Sequence, residues 1–469
     1  MLHKKVVIIG GGISGVKAAI DLYQAGITDT IIVESRDRLG GRLFTINSEH
    51  TRGLNYDMGA SWFHDTLNNP LFEKAIEYKT VKYHFDDGKC QYVSNEDEDI
   101  PTWKFQAIVD EMRQYFELTY AKDPTKPDVS LKRLCEEYIT KFNSRLTQEQ
   151  QEYARGVIRA LAELYHGESW DTLSGRFCFT NMNRHVGRSA FVENGYYRVF
   201  QMALKELPRK YLDTNVKLNA HVYKIDYSGS KILVHLFDGR SYSCDYLIST
   251  IPQSILQITD PKDSCYLKWE PELPLPLRQV LPDIHFGSLG KLVFEFNECF
   301  WPEDVERFYA ISTKTNIPEL SIKAWDFPSV IVNYQAIMGL PSLVILTQNP
   351  LSKYIEQLSK DEKFNEIWSL FKPMLEQISQ QDSIPDPIAI YNSPWNGEYL
   401  TRGSYGTTPI GMRDPADINR VLNQGFQNRI RFAGAETIIG SANGCAHGGW
   451  FSGQREAKFI IDNEKKSKL

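Results

Sequence analysis

Four β-branched residues in a row, Val6-Val7-Ile8-Ile9, stand between Lys4-Lys5 and Gly10-Gly11-Gly12. An unbroken apolar run of this kind, bounded by turn residues, predicts a strand buried on both faces. From Ile13 the pattern becomes helical and runs to about Gln24, with Gly26 placed to end it. A second short apolar run, Thr30 to Val33, predicts another strand and closes on Glu34. Residues 101–175 have a different texture. "FQAIVDEMRQYFELTYA", "LKRLCEEYITKF" and "TQEQQEYARGVIRALAELYHG" carry helical spacing, and Thr147 with Gln150 forms a capping-box pattern. The segments "VKLNAHVYKIDYS" and "KILVHLFDGRSYSCDYLISTIP" predict strands broken at Gly and Asp turns. Residues 265–385 mix strands such as "GKLVFEF" and "SLVILTQ" with the helix "EKFNEIWSLFKPMLEQIS". In "GKLVFEF", alternation puts Leu292, Phe294 and Phe296 on one face and Lys291, Val293 and Glu295 on the other. On an isolated strand, that second face would be solvated.

Length and composition narrow the class. A chain of 469 residues, 42% of them hydrophobic, exceeds the size at which one core stops growing, so two domains are expected. A net charge of -6 with 24% charged residues gives no basic surface for nucleic acid. The seven cysteines form no CxxC and no ladder, which reads as buried thiols in a reducing compartment. The ten histidines include no HxxxH pair, so no metal site is expected. No apolar run reaches the roughly 18 residues of a membrane helix, and no signal peptide is visible. The chain ends in Ser467-Lys468-Leu469, the tripeptide that peroxisomal import receptors read, so a peroxisomal destination and that receptor as partner are expected.

The glycines carry the first chemistry. Gly10-Gly11-Gly12-Ile13-Ser14-Gly15 fits GxGxxG between a strand and a helix. Gly10 makes the tight turn, Gly12 lets the backbone approach a pyrophosphate, and Gly15 lets the helix pack closely on the strand. Glu34, about 20 positions on, stands where an acidic residue bonds a ribose hydroxyl. These features identify a dinucleotide site but do not choose between NAD and FAD.

That choice rests on a resemblance. After Glu34 come "SRDRLGGRLFTI" and then "YDMGASWFHD", an order that resembles the flavin-containing amine oxidase family. The resemblance covers nearly the whole chain. It implies FAD in a Rossmann-type α/β domain, with a mixed α+β substrate domain, in a glutathione-reductase-like two-domain architecture. The FAD domain would comprise 1–65, 195–260 and 385–469, and the substrate domain 66–194 and 261–384. On the cofactor side it implies Gly10, Gly12, Ser14, Gly15, Glu34, Arg36, Gly41 and Arg42 from the first turns. It adds Gly59, Ala60, Ser61 and Trp62, Val222 at the adenine, Trp395 beside the flavin ring, and Glu436, Cys445 and Ala446 from "FAGAETIIGSANGCAHGG". Lys291 matches the family lysine that holds a water against the flavin. Tyr405 matches one wall of an aromatic cage, and Cys445 stands where many relatives have a second aromatic. Ser404 replaces the cysteine through which monoamine oxidases attach FAD, so non-covalent FAD is expected.

"GASWFHDTLNNPLF", "FDDGK" and "AELYHG" resemble fungal polyamine (spermine) oxidases and their corticosteroid-binding-protein-like relatives most closely. By that likeness Trp62, His64, Asp87, Tyr165 and Tyr405 would face substrate, with Lys291, His64 and Tyr405 taking part in catalysis. The implied activity is FAD-dependent oxidation of a polyamine at a secondary amine by molecular oxygen, giving an amine, an aldehyde and hydrogen peroxide. Two alternatives stay open: a flavoprotein scaffold that binds a steroid-like ligand, and an oxidase of methylated lysine.

Overall fold

The computed structural model describes the chain except residues 80, 98, 181–184, 315–321 and 467–469. Two large sheets organise it. In the first, the strand Leu2–Ile9 pairs in parallel with Thr30–Val33 on one side and with Ser241–Ser249 on the other. Val6 to Ile9 are buried because they sit in the middle of this sheet. Leaving water contributes on the order of 2 kcal/mol for each such side chain. The antiparallel strands Val222–Asp226 and Ile232–Leu236 extend the sheet from Ser241–Ser249, and Ile430–Phe432 pairs with the latter's end.

The second sheet has six strands: Ala389–Asn392, Gly290–Glu295, Ser342–Thr347, Ser329–Asn333, Arg307–Ala310 and Cys90–Val93. Gly290–Glu295 lies inside it, flanked by Ser342–Thr347 and Ala389–Asn392, and is buried along its whole length. Leu292 and Phe294 pack on Ile367, Trp368 and Phe371 of the helix Lys360–Ser379. Val293 packs the other way, against Tyr56 and Phe191. The alternation is as the sequence spacing indicates, but the face that carries Lys291 and Glu295 meets protein instead of solvent. Glu295 accepts from Ser48 Oγ at 2.9 Å there.

Within the two large sheets, strand membership crosses the expected domain limits twice. Lys268–Glu270 joins the first sheet, and Ala389–Asn392 joins the second. The helices Gln106–Lys122, Leu131–Phe142 and Gln148–His166 form a separate layer with its own core. Thr147 and Gln150 make the capping box, and Gly167 ends the third helix at a φ of +66°. Among the described residues, no helix is long and apolar enough to cross a membrane.

The two ends of the chain meet at the first glycine turn. The helix Ala446–Lys466 packs along Ile13–Gln24, with Val16, Ile20, Trp450, Ala457 and Ile460 in one core. The approach is close enough that a Cβ added at Gly453 would lie 2.1 Å from Ser14 O, a backbone atom that cannot swing away. Gly453→Ala should therefore destabilise the protein by about 1–3 kcal/mol, and thermal unfolding should show a lower midpoint. An unchanged midpoint would mean that the two helices can separate freely.

Candidate active site

A cavity of about 700 Å³ runs between the sheets and takes its lining from both. Its first end is the glycine turn. Gly10 has a φ of +102°, and a Cβ there would collide with Thr250 Oγ1 at 2.1 Å. Gly12 is the N-cap of Ile13–Gln24; no side chain caps that end, and a Cβ at Gly12 would meet nothing within 4 Å. The first-turn N–H groups, with the positive end of the helix behind them, therefore face open space suited to an anion. Ser14 lines the cavity as well. Gly15 does not. Its Cβ would lie 2.1 Å from Gly10 O, so it serves helix–strand packing alone. Glu34 is buried and accepts from Gly11 N at 2.7 Å and Arg36 N at 2.9 Å. Arg36 Nη2 is buried and comes within 3.4 Å of a Glu398 carboxylate oxygen, an ion pair that lacks hydrogen-bond geometry. Gly41 stacks on Gly12, and Val222 lines the same end. Arg42 donates to Ser404 O at 2.8 Å and grips both carboxylate oxygens of Glu436, which burial shared with a cation favours.

Lys291 enters from the second sheet. Its ammonium donates to Asp57 O at 3.0 Å, to Gly59 O and to Ser61 Oγ, and sits 5.6 Å over the Trp62 ring. Trp395 donates from Nε1 to Met58 O at 2.7 Å. The segment from Asp57 to Trp62, including Ala60, is thus fastened from the far side of the cavity. Burial lowers the Lys291 pKa to about 8, with the Asp57 carboxylate opposing the shift. Burial likewise raises Asp57 to about 6, against the pull of Lys291 and bonds from Thr45 and Tyr196.

The remaining wall is aromatic. Tyr405 comes from the strand Tyr405–Thr407 and Tyr165 from the helix Gln148–His166, and Cys445 and Ala446 lie at the start of the last helix. Burial pushes both phenols well above their ordinary range and the Cys445 thiol up to about 12, so all three are neutral at pH 7. His64 also lines this region and shares a hydrogen bond of 2.9 Å between Nδ1 and Ser189 Oγ. Burial first, then His185 and His447, lower its pKa to about 4, which leaves a neutral ring at pH 7.

The structure departs from the sequence reading at Asp87. This residue is outside the cavity lining, about half exposed, and paired with Arg188 at 2.6 Å. Arg188 also stacks on the Phe85 ring at 3.5 Å and so holds Asp87 on the surface. The carboxylate of this segment that does line the cavity is Asp86, bound to Arg307. Sequence reading also passed over Asp65, which joins His185 and His447 beside His64. Two of these residues lie within quoted motifs, but positions so far apart carry no signal that they meet. Ser467-Lys468-Leu469 lie outside the described residues.

A family model described as flavin containing amine oxidoreductase matches residues 13–461. The chain belongs to this family. It is 35% identical to a protein of Candida albicans named corticosteroid-binding protein, over 98% of this chain and 96% of that one. It is 27% identical to polyamine oxidase 4 of Oryza sativa subsp. japonica, over 96% of this chain and 86% of that one. A solved putrescine oxidase double mutant with redesigned cofactor binding has the same fold, with a TM-score of 0.72 at 19% identity over 98% of this chain and 99% of that one.

The cofactor of this amine oxidoreductase is FAD, and the residues present fit it. The open face at Gly12 and the uncapped helix end would take the pyrophosphate. Glu34 would take a ribose; Trp62 Nε1 is a buried donor with no hydrogen-bond partner among the described residues, and Arg36 Nη2, ion-paired with Glu398 but without a hydrogen bond, is a second donor along the cavity wall. When bound, FAD supplies the two-electron oxidation of an amine and the return of those electrons to oxygen. Trp395, Trp62 and Tyr405 line the cavity and would orient the ring, Lys291 would hold its ammonium beside it, and the buried aromatic wall would keep water out. Ser404 lies in the lining, but its hydroxyl is committed to Leu289 N at 2.9 Å and Gly287 O at 3.2 Å and cannot form a thioether. The Cys445 thiol stays protonated. Acid precipitation should therefore release FAD into the supernatant, and flavin retained in the pellet would show a covalent link.

Proposed function

We propose that this chain oxidises polyamines at a secondary amine, releasing an amine, an aldehyde and hydrogen peroxide. The observation that carries this reading is the Lys291 ammonium, buried beside Trp62 in the cavity wall, which passive binding of an apolar ligand does not require. Support also comes from the plant relatives named polyamine oxidases. The aliphatic stretch of the lining, Leu161, Leu164, Leu289, Val330 and Leu346, suits the methylene chain of a polyamine. The same stretch and the name of the Candida relative favour a second reading, a steroid-like ligand in the same space. Anaerobic mixing with spermine, spermidine and their N-acetyl forms, with and without a corticosteroid as competitor, separates the two.

The reacting nitrogen must be neutral, because the carbon beside it is oxidised only when that nitrogen has a free lone pair to donate. An aliphatic ammonium with a pKa near that of lysine costs about 4.6 kcal/mol to deprotonate at pH 7 in water. Neutral walls lower that cost by disfavouring the charged form. Lys291 acts in the same sense: below about pH 8 it is a second cation in the cavity, and above it the charge is lost. Both effects make the neutral amine easier to hold as pH rises. Anaerobic reduction of the flavin by spermine should therefore accelerate from pH 7 to 9. Lys291→Met should slow reoxidation by oxygen while the protein stays folded and yellow. Failure of every polyamine to bleach the flavin at any pH would remove the polyamine reading, and a fully active lysine variant would remove the role given to Lys291.

The C-terminal tripeptide supports a peroxisomal destination, which suits an enzyme that makes hydrogen peroxide. A reporter carrying the last twelve residues should enter peroxisomes, and removal of Leu469 should leave it diffuse. Diffuse signal from the intact tail would show that the match is accidental.

A further inference from the structure

Asp65 has no part in the chemistry above, yet it lies at the junction of three segments of the cavity wall. It is buried and has a φ of +55°, which non-glycine residues seldom adopt. Its Oδ1 accepts from His185 Nδ1 and from Val186 N, both at 2.8 Å, and its Oδ2 accepts from His447 Nε2 at 3.0 Å. Ser441 bonds it as well. Although burial opposes this, the bonds from His185, His447, Val186 and Ser441 hold the carboxyl far below its usual range, so it is ionised throughout the working pH range.

An ionised carboxylate only accepts hydrogen bonds. His185 Nδ1 and His447 Nε2 must therefore both carry protons, and neutral His185 has its lone pair on Nε2. His185 lines the cavity with its side chain a quarter exposed. Its ring centroid is 5.6 Å from that of His64 and 6.2 Å from that of Tyr165. Among the described residues, Nε2 has no partner.

The other groups around this ring are unsuited to taking a proton at neutral pH. His64 has a hydroxyl behind it in place of a carboxylate, and burial keeps it neutral. Tyr165 and Cys445 are already protonated. His447 is enclosed behind Asp65. The cavity carboxylates Asp86 and Glu436 are tied to Arg307 and Arg42. All three ammonium N–H groups of Lys291 are taken by Asp57, Gly59 and Ser61.

We propose that His185 is the general base of amine oxidation, with Asp65 as its positioning residue: Nε2 takes a proton from the substrate's secondary ammonium. The ammonium N–H bond breaks, and its electron pair stays on the nitrogen as the lone pair that oxidation requires. A new N–H bond forms on Nε2. Asp65 holds the ring by Nδ1 and balances the imidazolium charge, and the proton leaves to solvent through the exposed part of the ring. No electrons move in this step. The proposal rests on the amine-oxidation reading, and spermine serves as probe.

In His185→Ala, anaerobic flavin reduction by spermine at pH 7 should fall about 100- to 10,000-fold. The deficit should shrink toward pH 10, where a growing share of the amine is already neutral in solution, and added imidazole should restore part of the rate, with FAD content unchanged. Asp65→Asn should show the same pH-dependent deficit. If that variant does not fold, His185→Ala decides the point. Parental rates at pH 7 would overturn the proposal, as would a deficit equal at all pH values and insensitive to imidazole, which is the mark of a structural role. NMR of isotope-labelled histidine gives a readout free of turnover: His185 should be the Nδ1–H tautomer, and an Nε2–H tautomer would overturn the assignment. If the parent does not react with any polyamine, the substrate reading falls, while the tautomer still decides whether Asp65 presents this ring as a base.

Discussion

The bond from the Lys291 ammonium to the backbone of Asp57 and Gly59 ties the two halves of the molecule together at the cavity. A buried ammonium is costly unless its donors are satisfied, and here carbonyls and one hydroxyl satisfy all three. The same bonds fix the segment from Asp57 to Ser61, and Trp395 adds a bond to Met58 within it. Trp62, His64 and Asp65 follow directly in sequence, so their positions derive from that anchor. Lys291 is in turn held in register by its strand neighbours and by a bond of 2.9 Å from its own N–H to Ser393 Oγ. The position of a single strand in the second sheet therefore sets where the first domain presents its aromatic wall.

What could be read in advance was local. The run Val6 to Ile9, the glycines, the first helix and Glu34 lie within a few dozen residues, and each constrains the next, so their pattern identifies the unit without reference to the rest of the chain. The Thr147–Gln150 cap and the alternation around Lys291 are local in the same way. What escaped depends on pairing across long separations. The face of Lys291 is dry only because strands from 342–347 and 389–392 flank it and Tyr56 and Phe191 cover it. Asp86 and Asp87 are adjacent and outside any strand, so no alternation separates them; Arg188 pairs with Asp87 on the surface and Arg307 with Asp86 at the cavity. Asp65, His185 and His447 come from three distant segments that only the folded chain assembles.

The electrostatics of the cavity follow one rule. Carboxylates in and just behind its wall are neutralised at close range: Glu436 by Arg42, Asp86 by Arg307, Asp65 behind the wall by two imidazoles and a backbone N–H, and Glu34 by backbone N–H groups. The phenols and the thiol are held in their neutral forms by burial, and so is His64. Such a surface gives a cationic substrate little reason to remain a cation. Binding and deprotonation are then favoured together, because the walls that exclude water also penalise charge.

This argument bears on the two ligand readings. A rigid apolar molecule and a methylene chain both gain from the aliphatic lining, so that lining alone does not tell them apart. The difference lies in groups that an apolar ligand would leave idle: an ammonium at Lys291, and an imidazole at His185 whose lone pair is set by an ionised carboxylate. Burying either one costs free energy in a protein that only binds. Both are maintained within one cavity, beside the surface suited to a dinucleotide, and in an amine oxidoreductase both have work to do at the step where the amine loses its proton and its electrons.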